Sequence, residues 1–336
     1  MISRRDFLKT SALALGGLSM PSLVGCASGA KETAAAAPTA KNFVGLQTYS
    51  VMQELHEDIP AGMAKLKSFG YTDLELAGYG KGLQNGVAPA EYKKMVDDAG
   101  LKILSAHVGT PSNFRMPEEE FLEEWKKTIE DHKTLGVKYI IDPSMPSCST
   151  VDEIKQVCER FNKAGEMCKA AGIQFGYHNH DGEFKKIATP EEYEEGRKKA
   201  IETIKNNWKI DPSPEMVENM LKGSMAPGNF FEKLYMDFTD PALVCFQLDV
   251  YWCVIGDQDP CEWIRQYKDR IRLLHIKDKW IVGDSGMMNW ENIFKAAYET
   301  GIEHWFVEVE GGGNGRTQME GVAESAKYLI AAPFVK

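Results

Sequence analysis

Residues 151–180 read VDEIKQVCERFNKAGEMCKAAGIQFGYHNH. The amphipathic stretch 151–171 predicts a helix and Gly172 ends it. The apolar run 173–178 then predicts a short buried strand that stops on His178, Asn179 and His180. Glycine takes the left-handed conformation at a helix end without a Cβ clash, which makes it a good stop. The same unit recurs along the chain. Strands are predicted at 43–48, 73–76, 102–107, 139–142, 173–178, 244–249, 272–276 and 305–310. Helical stretches between them include 60–69, 88–99, 118–135 and 290–300, and Gly70, Gly100, Gly136 and Gly301 repeat the position of Gly172. Strand and helix in alternation are the pattern of a parallel α/β fold. Eight such units predict a closed (β/α)₈ TIM barrel over an open doubly wound sheet. No GxGxxG follows the first strand, which speaks against a dinucleotide-binding fold.

One segment breaks the rhythm. Residues 181–243, between strands five and six, are far longer than one crossover helix needs. They hold helical stretches at 191–208 and 216–222 around Asp211-Pro212-Ser213-Pro214. An insertion at the C-terminal face of a barrel overlies the active site. This helical insertion therefore reads either as a lid that shapes the substrate pocket or as a hairpin, for instance one at a contact in a homo-oligomer.

The start of the chain has another character. Ser3-Arg4-Arg5-Asp6-Phe7-Leu8-Lys9 precedes an apolar run over 12–24 that is too short to span a bilayer. The paired arginines resemble a twin-arginine export signal. Leu23-Val24-Gly25-Cys26 resembles a bacterial lipobox, which makes Cys26 the lipidated first residue of the mature chain. The expected organisation is a signal peptide over 1–25, a flexible tether over 26–41 and the barrel over 42–336. The protein is expected on the periplasmic side of the cell envelope, held to the membrane by lipid alone.

Composition narrows the function. About 295 residues follow position 41, and 43% of the chain is hydrophobic, ample for a large core. The formal net charge is −10; removing Arg4, Arg5, Lys9 and Asp6, together +2, leaves about −12. So acidic a protein is a poor nucleic-acid binder. The seven cysteines form no CxxC pair, which gives no sign of a zinc knuckle. Twin-arginine systems export folded proteins, so buried thiols are expected rather than disulfides.

The chemistry lies at the predicted C-terminal strand ends, where barrels of this kind build their sites. Glu75 ends strand two, His107 strand three and Asp142 strand four. His178, His180 and the following Glu183 close strand five, and Asp249 closes strand six. His275, Lys277 and Asp278 lie at strand seven, and Glu308 and Glu310 at strand eight. Four of the seven histidines fall on these ends. His56, His132 and His304 do not and receive no role. Imidazole and carboxylate together suit one divalent metal such as Mn²⁺, Zn²⁺, Co²⁺ or Fe²⁺. Such an ion would polarise a sugar carbonyl while flanking His, Lys and Glu move protons.

Several stretches carry a family resemblance. Gly45-Leu46-Gln47-Thr48-Tyr49-Ser50-Val51, Tyr177-His178-Asn179-His180-Asp181-Gly182-Glu183-Phe184, Leu248-Asp249-Val250-Tyr251-Trp252, His275-Ile276-Lys277-Asp278 and Trp305-Phe306-Val307-Glu308-Val309-Glu310 occur in this order. They resemble the sugar phosphate isomerase/epimerase group of the xylose isomerase-like superfamily. The resemblance implies one catalytic metal, here expected as Mn²⁺, with ligands from strands five to eight. Asp249, His275 and Glu308 match ligand positions. Strand five departs, because many members carry glutamate where His178 stands. Either His178 binds the metal, or His180 or Glu183 supplies the group. The reading adopted puts His178 on the metal and His180 in acid/base work, since both point to one side of the strand. Lys277 is assigned to proton transfer or to an oxyanion, with Glu183 and His107 as further catalytic candidates. Glu75, Trp252 and Glu310 are assigned to substrate, with Tyr251 and Trp280 as further apolar faces. Asp142 and Asp278 are read as structural. Gly311-Gly312-Gly313-Asn314-Gly315-Arg316 would either cradle phosphate, with Arg316 binding it, or form a loop that accommodates substrate.

The resemblance implies proton transfer beside a sugar carbonyl, by an isomerase or epimerase. The same chemistry would serve a 3-keto-glycoside lyase or hydrolase. If an upstream dehydrogenase oxidises a glycoside at carbon 3, the hydrogen at carbon 2 becomes acidic and the group at carbon 1 can be eliminated. A glycan-binding protein without turnover is the alternative from another class, and a related DNA-repair endonuclease is opposed by the acidic charge. The leader itself has a direct test. Cys26→Ser should move the protein into the soluble envelope fraction on membrane fractionation, and continued membrane association would defeat the lipoprotein assignment.

Overall fold

The computed structural model describes residues 43–336. The signal peptide, Cys26 and the tether assigned above lie outside the described residues. Eight strands form the barrel: β1 (Gly45–Gln47), β2 (Asp73–Leu76), β3 (Lys102–His107), β4 (Tyr139–Asp142), β5 (Gln174–His178), β6 (Val244–Asp249), β7 (Ile271–Lys277) and β8 (His304–Glu308). Each pairs in parallel with the next, and β1 closes on β8. The closed TIM barrel read from the alternation is therefore the fold. The five glycine stops have φ between 72° at Gly100 and 99° at Gly70.

Side chains alternate across each strand, so every second residue enters the barrel. Leu104, Ile141, Cys245, Leu273 and Phe306 pack together as an apolar layer inside it. Further along the same faces the residues turn polar: Cys245 gives way to Gln247 and Asp249, Leu273 to His275 and Lys277, and Phe306 to Glu308. The alternate residues Leu248, Leu274, Ile276 and Val307 face the helices and join the main core. β6, β7 and β8 thus each carry an apolar anchor near the start and a chemical group at the end.

The helix Val151–Ala170 shows how closely the outer layer fits. Gly165 is buried in its interior, where glycine costs about 1 kcal/mol of helix propensity against alanine. A Cβ there would lie 2.6 Å from the carbonyl oxygen of Leu243, at the entrance to β6. Close approach, not helix formation, dictates the glycine. Among the described cysteines no disulfide forms; Cys158, Cys168, Cys245 and Cys253 are buried, as the sequence predicts.

The insertion is narrower than the sequence suggests. A two-stranded hairpin, Lys186–Ile187 with Asn229–Phe230, closes its base. Between these strands the helices Pro190–Trp208 and Pro214–Lys222 pack on each other through Ala200, Ile204, Val217 and Leu221. The next helix, Phe231–Phe238, belongs to the barrel and packs on Val151–Ala170. No helix among the described residues is long and apolar enough to cross a membrane.

Gly165→Ala separates the two backbone effects. Propensity alone predicts a gain of about 1 kcal/mol, whereas overpacking against a backbone oxygen costs about 1–3 kcal/mol. Urea denaturation should show net destabilisation, and a gain in stability would mean that the Leu243 contact yields.

Candidate active site

Parallel register brings the polar strand ends level. Asp249 is paired with His275, Lys277 with Glu308, and Gln247 with His178. The centre of the arrangement is Glu75, fully buried. Its Oε1 accepts from Gln47 Nε2 at 2.9 Å and lies 2.5 Å from His275 Nε2 and 3.0 Å from His107 Nε2. Its Oε2 accepts from Ser105 Oγ at 2.6 Å and Gln247 Nε2 at 2.8 Å. Burial works to raise its pKa, but His107 and His275 hold it well below the usual carboxylate value. Glu75, assigned above to substrate, instead sits beneath the site with every position taken.

That carboxylate orients its neighbours. Because Gln247 donates its Nε2 hydrogens to Glu75, its Oε1 faces the histidines, 2.9 Å from His107 Nε2 and 3.2 Å from His178 Nδ1. Both nitrogens meet an acceptor and so carry hydrogen, which leaves His178 Nε2 with its lone pair. Burial, then the nearby His275 and His107, push the His178 pKa well down, and the ring stays neutral. Neither Gln47 nor Gln247 was singled out in the sequence. The signal was there: a glutamine in an otherwise apolar parallel strand, two residues before Asp249 on the same inward face.

Above Glu75 lies an unfinished set of donors. Asp249 Oδ1 accepts from the backbone amides of Tyr251 and Trp252, both at 2.9 Å, while its Oδ2 is buried without a partner. His275 Nδ1 is likewise unpartnered, 3.8 Å from Asp249 Oδ2 and 3.4 Å from Glu308 Oε2. Asp249, His275 and Glu308 offer ligand atoms within 4.8 Å of one another, and His178 joins His275 and His107 in an overlapping set. His275 belongs to both sets, so His178 adjoins the trio of Asp249, His275 and Glu308. Burial raises Asp249 to about 7 against the pull of Lys277 and His275. Burial opposes the charge on His275, but Glu75 and Glu308 outweigh it and lift the ring to about 10. Two unpartnered acid/base atoms facing each other in a buried carboxylate–imidazole cluster fit a divalent cation. The Glu75–His275 bond supplies the outer carboxylate that such ligands use to fix the ring.

Around this set lies a cavity of about 350 Å³ lined by Tyr49, His107, His178, His180, Glu308 and Glu310 among others. The buried Lys277 places Nζ 3.0 Å from both Glu308 Oε2 and Glu310 Oε1 and 5.5 Å from the Trp252 ring. Burial works against its charge, but Glu308, Asp249 and Glu310 keep its pKa above the usual value. His180 stands 5.0 Å from the His178 ring and 5.9 Å from Trp252. Glu183 does not face the cavity. Its oxygens accept from Tyr177 OH at 2.5 Å and from the His180 amide at 2.9 Å, so it holds the turn that carries His180.

Other candidates are placed elsewhere. Arg316 is tied to Asp284 at 2.5 Å and Glu324 at 2.6 Å, and it is not on the cavity lining. The glycine run packs on an indole: a Cβ on Gly313 would come within 2.8 Å of Trp280, and one on Gly312 within 2.1 Å of the Arg316 carbonyl oxygen. Close packing accounts for these glycines, and Trp280 is their platform. Asp142 accepts from the Ser112 and Ser144 amides, and Asp278 from those of Lys279 and Gly283, so both fold loops as read above. No residue of the inserted hairpin lines the central cavity. A second cavity, of about 690 Å³, lies between the segment after β2, the loop after β3 and the helix Glu118–Leu135.

Comparison with known proteins agrees with the barrel fold. A family described as the xylose isomerase-like TIM barrel matches residues 63–210. Two solved structures of a sugar phosphate isomerase/epimerase from Parabacteroides distasonis ATCC 8503 are similar throughout. One is 43% identical with a TM-score of 0.74, over 87% of this chain and 99% of its own. The other is 45% identical with a TM-score of 0.73, over 90% and 100%. An inosose dehydratase from Geobacillus kaustophilus is 22% identical over 206 residues, 56% of this chain. The chain spans about half, 54%, of that relative.

The titrations set a pH dependence for the metal. Without a cation Asp249 keeps its proton up to about pH 7 and His275 up to about pH 10. An entering cation must displace both below pH 7 and one between pH 7 and 10. Each unit that the pH is lowered should therefore weaken Mn²⁺ binding about tenfold between pH 10 and 7 and about a hundredfold below pH 7. Calorimetry in buffers of different ionisation heat counts the protons, and Asp249→Asn should abolish uptake. Full occupancy in that variant would relocate the site.

Proposed function

Because the chain belongs to the xylose isomerase-like TIM barrel family, we propose that it is a divalent-metal-dependent enzyme that transfers a proton beside a sugar carbonyl, as an isomerase or epimerase does. The observation that carries this reading is the facing pair of unpartnered atoms, Asp249 Oδ2 and His275 Nδ1, with Glu308 closing the third side. A cation held by these residues and His178, proposed as Mn²⁺, would polarise the carbonyl and acidify the adjoining C–H bond.

The protein's own groups supply the rest. His180 is pushed below its ordinary pKa, chiefly by burial, so at neutral pH its ring is free to accept a proton. Glu183 and Tyr177 hold its backbone, which limits where that proton can come from. Lys277 stays charged and suits an oxyanion partner better than a base. The Trp252 ring beside it offers an apolar face to a sugar ring, and the half-exposed Glu310 can accept from a hydroxyl. Attachment to the envelope through Cys26 is part of the same proposal and rests on the sequence alone.

A second reading is cleavage of a 3-keto-glycoside by β-elimination. The 690 Å³ cavity beside the site favours it, since an isomerase acting on one sugar ring has no use for that space. Proton NMR in D₂O of the Mn²⁺-loaded protein distinguishes the readings. Deuterium exchange or a new epimer from a simple ketose supports the first, and release of the second sugar from a 3-keto-disaccharide supports the other. Sugars that bind without exchange or cleavage would leave a glycan-binding role.

A further inference from the structure

The two cavities are joined by their walls. Ala77 and Gly78 line the central one, and the next residues, Tyr79 and Gly80, line the outer one. His107 likewise lines the central cavity, and Val108 and Gly109 continue into the outer. Two separate backbone segments therefore run without a break from one space into the other. At about 350 Å³ the central cavity is at the low end for a ligand site, the size for a single ring.

The outer wall carries polar groups of both signs. Tyr79 is half-buried, and its hydroxyl donates to Asp131 at 2.6 Å, which holds the ring at the cavity. Lys127 binds the same Asp131 at 2.6 Å, so its charge is already compensated. Thr110 donates to Glu124 Oε1 at 3.0 Å across the opening. An anion would meet Glu124 there and, besides the paired Lys127, the single exposed Lys81. A neutral polyhydroxyl ring would meet donors, acceptors and an aromatic face, the mixture that sugar hydroxyls and C–H faces require.

We propose that this outer cavity is a subsite for a second, uncharged sugar ring, so that the substrate is at least a disaccharide-sized glycoside whose reacting ring lies over His178 and Glu308. The assignment rests on the glycoside reading above and deepens it. Gly80 provides the obstruction. It is exposed, lies outside the left-handed region, and a Cβ added to it meets nothing within 4 Å, so phenylalanine fits the fold and intrudes on the space. Asn113, exposed on the opposite wall, provides a second variant.

Saturation-transfer NMR on the full chain with maltose, cellobiose and sucrose, against methyl glucoside, reads the contact without turnover. Both rings of at least one disaccharide should receive saturation in the unmodified protein. In Gly80→Phe and Asn113→Trp the signal of one ring should fall about tenfold, with methyl glucoside unchanged. Saturation of one ring alone, or of none, in all three disaccharides overturns the subsite. So does a loss in both variants that is equal for both rings and for methyl glucoside. Failure of the catalytic reading has a different signature: second-ring contacts persist while 3-keto sugars show neither exchange nor cleavage.

Discussion

A carboxylate buried at the axis of a closed barrel has to be met by donors from all sides, and Glu75 imposes that demand here. Removing such an ion from water costs several kcal/mol unless its lone pairs are filled. Gln47 from β1, Ser105 and His107 from β3, Gln247 from β6 and His275 from β7 fill them. Strands from across the sheet are thereby committed to one point. The orientation of the Gln247 amide follows from the carboxylate, and the protonated nitrogens of His107 and His178 follow from that amide.

The layer above has the opposite balance. Asp249, Glu308 and Glu310 surround one buried ammonium, Lys277, and two ligand atoms, Asp249 Oδ2 and His275 Nδ1, have no hydrogen-bond partner. These buried acids face the two cations Lys277 and His275, and the set still carries like-charge repulsion and desolvation cost. A metal that relieves both would couple its binding free energy to folding. Chemical competence and instability have the same source, the concentration of charge at the strand ends.

The loops divide the remaining work. Packing of Gly311 and Gly313 on Trp280 shapes the rim after β8, and the segments after β2 and β3 contribute to the lining of both cavities. The inserted hairpin has its own small core in Ala200, Ile204, Val217 and Leu221 and shares no lining with the central cavity. The choice between lid and hairpin left open by the sequence falls, in this structure, on a self-contained hairpin.

The barrel was legible because its causes are local. Alternation of amphipathic and apolar segments, with glycine where a helix must stop, specifies each unit before any long-range contact forms. The inward polar residues at the strand ends followed from the same period of two, and the family resemblance then set His178, Asp249, His275 and Glu308 apart as a group. Their division of labour was not legible. Glu75, Glu183 and Arg316 look in sequence like groups for substrate or catalysis, yet Glu75 and Glu183 have their oxygens filled and Arg316 is held by two surface acids. Gln247 looks like an ordinary strand residue, yet it orients two histidines. Which polar atoms remain unpartnered depends on distances between residues as far apart as Glu75 and His275, and only closure of the barrel sets those distances.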